Sequence, residues 1–209
     1  YSCVYCQLGR TGRLQMEIRD YYPPARILRE VTERVSRLCE LGHPVDYMTF
    51  VPDGEPTLDR NLGEALRLLK RDLNLKTAVI TNGSLLWRDE VREALSLCDW
   101  LSIKVDACTE DTFHKVNRPH PHLKLDRILD GILRMAQAYQ GELVTETMLI
   151  QDVNDDPTDL HALAEYLAVV QPGAAYVAIP TRPPAEKWVR APGEAVVNKN
   201  GRAACRERV

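Results

Sequence analysis

Thr77-Ala78-Val79-Ile80, the turn Asn82-Gly83, the run Trp87–Leu97 with Val91 and Leu95 four apart, and the apolar run Trp100–Val105 follow one another directly. Short apolar runs bounded by turn residues read as buried strands, and a run with apolar residues four apart reads as a helix. Strand, helix, strand in that order is a crossover unit, which joins parallel strands. The unit extends in both directions. Upstream lie a helix from Pro23-Pro24 to Leu41, with Ile27, Leu28, Val31, Val35 and Leu38 on one face, and a strand Val45–Val51. Leu62, Leu66 and Leu69 mark a further helix. Downstream lie an irregular stretch with Pro119 and Pro121, a helix Leu125–Tyr139, a strand Val144–Ile150, a helix Pro157–Val170 and a strand Tyr176–Ile179. The expectation is an α/β fold with a parallel sheet whose strands, being nearly all apolar, are covered on both faces.

The whole composition agrees with a globular domain. The chain has 209 residues, 44% hydrophobic and 27% charged, which excludes disordered, collagenous and low-complexity classes. The net charge of -3 argues against a non-specific nucleic-acid binder, which needs a basic surface. No apolar run approaches the roughly 18 residues that span a bilayer, and no signal peptide is visible, so the expected location is cytoplasmic. The chain opens on Tyr1 rather than Met and its sharpest motif starts at the third residue, so it reads as truncated at the N-terminus. Residues 1–190 read as one core, and 191–209 as an irregular tail without apolar periodicity.

Parallel α/β folds carry their chemistry at the carboxyl ends of the strands. The unusual residues gather there: Asp53-Gly54-Glu55-Pro56-Thr57-Leu58, then Thr81-Asn82-Gly83-Ser84, then Ser102-Ile103-Lys104-Val105-Asp106, then Glu146 and Gln151-Asp152, then Pro180-Thr181-Arg182. Five polar strand ends point to one shared site. The six cysteines stand at 3, 6, 39, 98, 108 and 205, and only Cys3-Val4-Tyr5-Cys6 forms a pair. In a reducing compartment this C-x-x-C is a zinc half-site, a redox dithiol or part of an iron–sulfur site. A structural zinc wants a second pair, which the chain lacks. Solitary Cys39 and Cys98 read as small buried hydrophobes.

Cys3, Tyr5 and Cys6 resemble the end of the C-x-x-x-C-x-x-C motif of the radical S-adenosylmethionine (SAM) superfamily, in which an aromatic residue precedes the last cysteine. Asp53-Gly54-Glu55-Pro56 resembles the family's G-G-E motif, with Asp53 in place of the first glycine. The Cys-Val-Tyr-Cys-Gln-Leu-Gly-Arg-Thr run, Asp-Gly-Glu-Pro-Thr-Leu-Asp and Ile-Pro-Thr-Arg-Pro-Pro look like the branch of Fe–S oxidoreductases related to wyosine-forming enzymes. The resemblance spans roughly residues 1–190.

The resemblance implies a partial (β/α)6 TIM-like barrel whose first strand, like the first cysteine of the motif, falls upstream of Tyr1. It implies a [4Fe-4S] cluster on Cys3 and Cys6 and an open iron that chelates SAM. One electron then cleaves SAM to a 5′-deoxyadenosyl radical, which abstracts hydrogen from a substrate. The electron comes from a reductant such as ferredoxin or flavodoxin. By position, Asp53, Gly54 and Glu55 meet the SAM amino group, and Asn82 contacts SAM or substrate, as could Ser84. Ser102, Lys104 and Asp106 meet the ribose or carboxylate, Tyr5 packs on adenine, and the backbone after Val177 pairs with the adenine edge. Glu146 points into the lumen. Other readings stand beside these. Lys104 pairs with Asp106 or Glu146 as a plain ion pair, the Gly54-Glu55-Pro56-Thr57 run is only a turn, and Arg10 and Arg13 bind an anion or are solvated. His114, His120 and His122 read as a surface or substrate-facing loop. The substrate is open: RNA, a partner enzyme or a small metabolite. A metal-free thiol oxidoreductase and a degenerate, non-catalytic fold are the alternatives.

Overall fold

The computed structural model describes residues 1–51 and 53–198. Residues 194–198 form a helical turn. The rest of the expected tail, Cys205 included, lies outside the described residues. Five strands form one sheet in the order β1-β2-β3-β4-β5, and every neighbouring pair is parallel. They are β1 Tyr47–Phe50, β2 Lys76–Thr81, β3 Trp100–Lys104, β4 Glu142–Met148 and β5 Ala174–Ala178. Helix α1 Pro24–Glu40 precedes β1, α2 Leu62–Leu73 follows it, and α3 Asp89–Leu95 follows β2. Helices α4 Glu110–Asn117 and α5 Leu125–Ala138 lie between β3 and β4, and α6 Pro157–Val170 lies between β4 and β5. The alternation leads one to expect a parallel sheet with helical crossovers, and a sheet whose neighbours are consecutive, each crossing over through a helix, is a segment of a (β/α) barrel, as the resemblance implies.

One face of the sheet carries the core. Val79, Leu101, Ile103, Val105 and Leu143 pack with Leu66, Leu95, Ile132 and Met135 from the helices. Alternation along the strands turns their neighbours the other way. Ala78 and Ile80 of β2, Ser102 and Lys104 of β3, Val144 and Glu146 of β4 and Tyr176 of β5 therefore share the lumen face, as the register Ile80↔Ser102, Lys104↔Glu146 and Glu146↔Tyr176 requires.

Three expectations change. The stretch after β3 is not wholly irregular: α4 buries Thr112, Phe113, Val116 and Asn117. Two large apolar residues among charged ones are too few to register as a periodic face, and His114 thus stands on a helix. The edge strands are not covered on both faces, since β1 alternates exposed and half-buried residues, and Val51, expected in the strand, is 59% exposed just beyond it. Cys39 is exposed, not buried. It sits one position past Leu38, off the stripe of a helix none of whose residues is fully buried.

Two glycines are demanded by geometry. Gly83 has φ +71°, and a Cβ there would stand 3.1 Å from Ile103. At Gly131 of α5 a Cβ would stand 2.4 Å from the Trp87 nitrogen and 2.5 Å from the Leu86 carbonyl carbon. Helix propensity favours alanine over glycine by about 1 kcal/mol. Backbone cannot yield as a side chain can, so the clash wins. Gly131→Ala is expected to destabilise the fold by about 2 kcal/mol. Thermal denaturation checks this, and a melt equal to or above wild type contradicts it.

Candidate functional site

The cysteine loop is anchored by its own backbone. Ser2 and Val4 donate N–H bonds to the carbonyls of Asn117 and Val116, at 3.0 Å each, at the end of α4. The Cys6 N–H closes a turn onto the Cys3 carbonyl at 3.1 Å, and the Gly9 N–H follows onto the Cys6 carbonyl at 3.2 Å. Val4 is fully buried and packs with Val116, Ile150 and Val189. Pinning Val4 inward leaves its flanking cysteines half-buried and unbridged on the same loop.

The loop faces a polar network at the ends of β3 and β4. The Asp106 side chain is fully buried. Its Oδ2 accepts from the Tyr5 hydroxyl and from Asn117 Nδ2 at 2.8 Å. Its Oδ1 accepts from the Met148 N–H at 2.8 Å. Asn117 Nδ2 also lies 3.5 Å from Cys3 Sγ. Lys104 Nζ stands 3.4 Å from Asp106 Oδ1 and 2.8 Å from Glu146 Oε1, and 5.0 Å above the Tyr5 ring. Burial alone would discharge Lys104, but Asp106 and Glu146 outweigh it and hold its ammonium above the usual lysine range. Asn154 completes the frame: its Nδ2 donates to the carbonyls of Asp106 and Met148, and its Oδ1 accepts from the Ile150 N–H.

The structure thus joins Cys3, Tyr5, Lys104, Asp106 and Glu146 in one constellation. Tyr5 spends its hydroxyl on Asp106 and one ring face on Lys104. Ser102 is buried on the same lumen face, two residues below Lys104. Glu55 lies on a different seam. Its carboxylate accepts from Thr57 N and Oγ1, from Thr81 Oγ1, and from the Asn82 N–H at 2.8 Å. Burial pushes the Glu55 carboxyl up, against the pull of those hydrogen bonds. Glu55 therefore clasps the loop after β1 to the end of β2. Asn82 turns its own Oδ1 back onto the Ser84 N–H at 2.9 Å. Asp53 and Gly54 are exposed, and a Cβ on Gly54 would meet nothing within 4 Å. Val177 pairs with Thr147 in register, and the carbonyl of the next residue, Ala178, accepts from the Leu149 N–H at 2.9 Å.

Three contributors escape sequence reading: Asn117, Asn154 and Glu186. Glu186 is buried, donates its N–H to the Val4 carbonyl at 3.1 Å, and accepts from Arg10 at 2.8 Å and from Arg118. Arg10 and then Arg118 hold its carboxyl below the usual range. Arg10 and Arg13 are both exposed, and Arg10 is paired with Glu186. His114 and His120 line one open cavity together with Arg118, but the histidines join no metal-ligand group among the described residues. His114 pairs with Glu110 along α4, and His120 and His122 stack edge to face with ring centroids 5.0 Å apart. Among the described residues no three His, Cys, Asp or Glu side chains form a metal-binding group.

The remaining described cysteines divide by environment. Burial pushes the Cys98 thiol up to about 11, and Cys108, with Asp159 adding to its burial, up to about 12. At pH 8 such thiols expose at least about a hundredfold less thiolate than a free cysteine. Iodoacetamide mapping of the native protein is expected to label exposed Cys39 and to spare Cys98 and Cys108. Equal labelling of all three contradicts this assignment.

The profile of the Radical SAM superfamily matches residues 1–164. A UPF0026 protein of Methanocaldococcus jannaschii is 42% identical over 199 residues, covering 95% of this chain and 61% of that relative. The S-adenosyl-L-methionine-dependent tRNA 4-demethylwyosine synthase of Danio rerio is 26% identical over 186 residues, covering 82% of this chain and 24% of that relative. The crystal structure of a radical SAM methyltransferase from Sphaerobacter thermophilus superposes with a TM-score of 0.63 at 18% identity, covering 98% of this chain and 59% of that one. At that identity the likeness is one of fold.

Proposed function

The chain belongs to the radical SAM superfamily, and from that premise we propose that Cys3 and Cys6 hold a [4Fe-4S] cluster at the mouth of the barrel, with SAM between the cluster and the lumen. Members of the family use both groups. A cluster carrying SAM supplies, when bound and reduced, cleavage of SAM to methionine and a 5′-deoxyadenosyl radical that takes hydrogen from the substrate.

The observation that carries the reading is the joining of the cysteine loop to the lumen charges through Asp106. The donor set fits the group: two unbridged thiols on one tight turn suit iron–sulfur ligation. Cys3 and Cys6 would supply two of the thiolates that hold such a cluster. Asp106 orients Tyr5 and Asn117 and keeps Lys104 charged. Lys104 and Glu146 together offer an ammonium and a carboxylate to the lumen, which suits a ligand bearing both charges. Glu55 shapes the loop that carries Asp53 and Gly54. The buried helix-side core keeps water from the other face of the sheet.

A metal-free dithiol fits less well. Reactive dithiols sit where a helix N-terminus or a cation lowers the thiol pKa. Here the pair lies in a turn, and burial followed by the nearby Asp106 carboxylate pushes the Cys3 thiol up. No helix among the described residues is long and apolar enough to cross a membrane. The substrate class we propose is a nucleotide base in RNA, on the likeness to the wyosine synthase alone. The test is SAM turnover by the reconstituted full-length protein under dithionite, with transfer RNA, mononucleotides or no addition. Release of 5′-deoxyadenosine supports the reading, and stimulation by transfer RNA supports the substrate. No release under any condition refutes the reading; release without stimulation by RNA refutes only the substrate.

A further inference from the structure

We infer that Glu186 is a positioning residue of the cysteine loop, bridging its two flanks and setting the charge beside it. The inference rests on the proposed role of Cys3 and Cys6. Glu186 lies beyond residues 1–164, the part matched to the family, on the segment that follows β5. Its side chain is 6% exposed although Lys187 and Trp188 beside it are exposed. Three contacts tie it to the loop. Its N–H bonds the carbonyl of Val4, one of the two residues between the cysteines, at 3.1 Å. One carboxylate oxygen accepts from Arg10 Nη2 at 2.8 Å, on the strand of loop leaving Cys6. The other accepts from Arg118 Nη1, where the chain leaves α4 in a left-handed turn with φ 44°. Arg118 directly follows Asn117, whose amide faces Cys3 Sγ.

The three charges make sense only together. A buried carboxylate without cations is costly. Two guanidiniums drawn to one point without the carboxylate repel. Nothing else in the loop needs Arg10 and Arg118 to converge. Val189, three residues on, packs with Val4, Val116 and Ile150, so apolar packing already holds this segment in place. The carboxylate therefore adds alignment and charge to a contact that packing supplies.

The test compares Glu186→Gln and Glu186→Asp in the full-length protein. Outer partners of metal ligands are worth roughly 10–100-fold in metal affinity or activity. Glu186→Gln is expected to lose iron to a chelator about tenfold faster than wild type. Its midpoint potential is expected to move to more positive values, because two guanidiniums lose their counter-charge near the site. Glu186→Asp is expected to restore the potential. In metal-free protein Glu186→Gln is expected to raise the alkylation rate of Cys3 and Cys6, with a melting temperature near wild type. Unchanged alkylation in Glu186→Gln overturns the assignment whether or not a cluster forms. So does a loss of iron that only tracks a fall in melting temperature, with an unmoved potential. A wild-type protein that takes up no iron and sulfide refutes the functional reading instead, and leaves the alkylation result to decide on Glu186.

Discussion

Cys6→Ala is expected to abolish retention of iron and sulfide and, with it, release of 5′-deoxyadenosine from SAM. Cys6 sits in the turn whose N–H closes on the Cys3 carbonyl, and among the described residues no third His, Cys, Asp or Glu joins these two thiols in a ligand group. Cys98 is tied to Tyr139 and the Leu95 carbonyl inside the core, and Cys39 is on the exposed face of α1. Removing a direct ligand should cost more than the roughly 10–100-fold lost when a ligand's outer partner is removed. The fold should survive, because Val4, not Cys6, carries the loop's packing. Iron and sulfide analysis of the reconstituted variant, beside a thermal melt, checks both halves. A variant that keeps four irons per chain contradicts the assignment of Cys6.

Asp106→Ala is expected to give the largest loss of stability of any single change at the site. The fully buried carboxylate accepts from Tyr5, Asn117 and the Met148 N–H, and stands 3.4 Å from Lys104. Its removal orphans three donors at once and leaves Lys104, itself 13% exposed, with Glu146 alone. Breaking a buried charge pair by removing one partner costs about 3–5 kcal/mol. For a chain of this size that is roughly a 10 °C fall in melting temperature. Asp106→Asn keeps the shape and loses the charge, so its fall should be smaller. Calorimetry on the metal-free variants measures both, and a melt of Asp106→Ala within about 2 °C of wild type sinks the network as a structural unit.

The fold was readable because the helix-facing residues are large and apolar at short, regular intervals. Val79, Leu101 and Ile103 announce their strands, and Leu62, Leu66 and Leu69 their helix. Helix α4 was not readable, because its buried face holds only two large apolar residues, Phe113 and Val116, beside Thr112 and Asn117, set among Glu110, Asp111 and Lys115. Of the site, the strand-end position of Lys104 and Asp106 was legible from their alternation on one strand, and so was their possible pairing with Glu146. The resemblance implied that the cysteine loop and the Asp53-Gly54-Glu55 loop serve one site; in the structure Glu55 bonds Thr57, Thr81 and Asn82 on a separate seam. What no local pattern could show is where a carboxylate turns once the chain folds. Glu55 turns toward Thr57, Thr81 and Asn82, and Glu186 closes on Arg10, 176 positions away. Asn117 and Asn154 are equally silent in sequence: each is an ordinary polar residue until tertiary structure sets it between backbone carbonyls or beside Cys3.

The central claim is that the loop of Cys3 and Cys6 carries a four-iron cluster whose open iron meets SAM. Electron paramagnetic resonance of the reconstituted, dithionite-reduced full-length protein, recorded without and with SAM, addresses it most directly. The account predicts a reduced four-iron signal whose g-values shift when SAM is added. A protein without that signal, or with a signal indifferent to SAM, contradicts it.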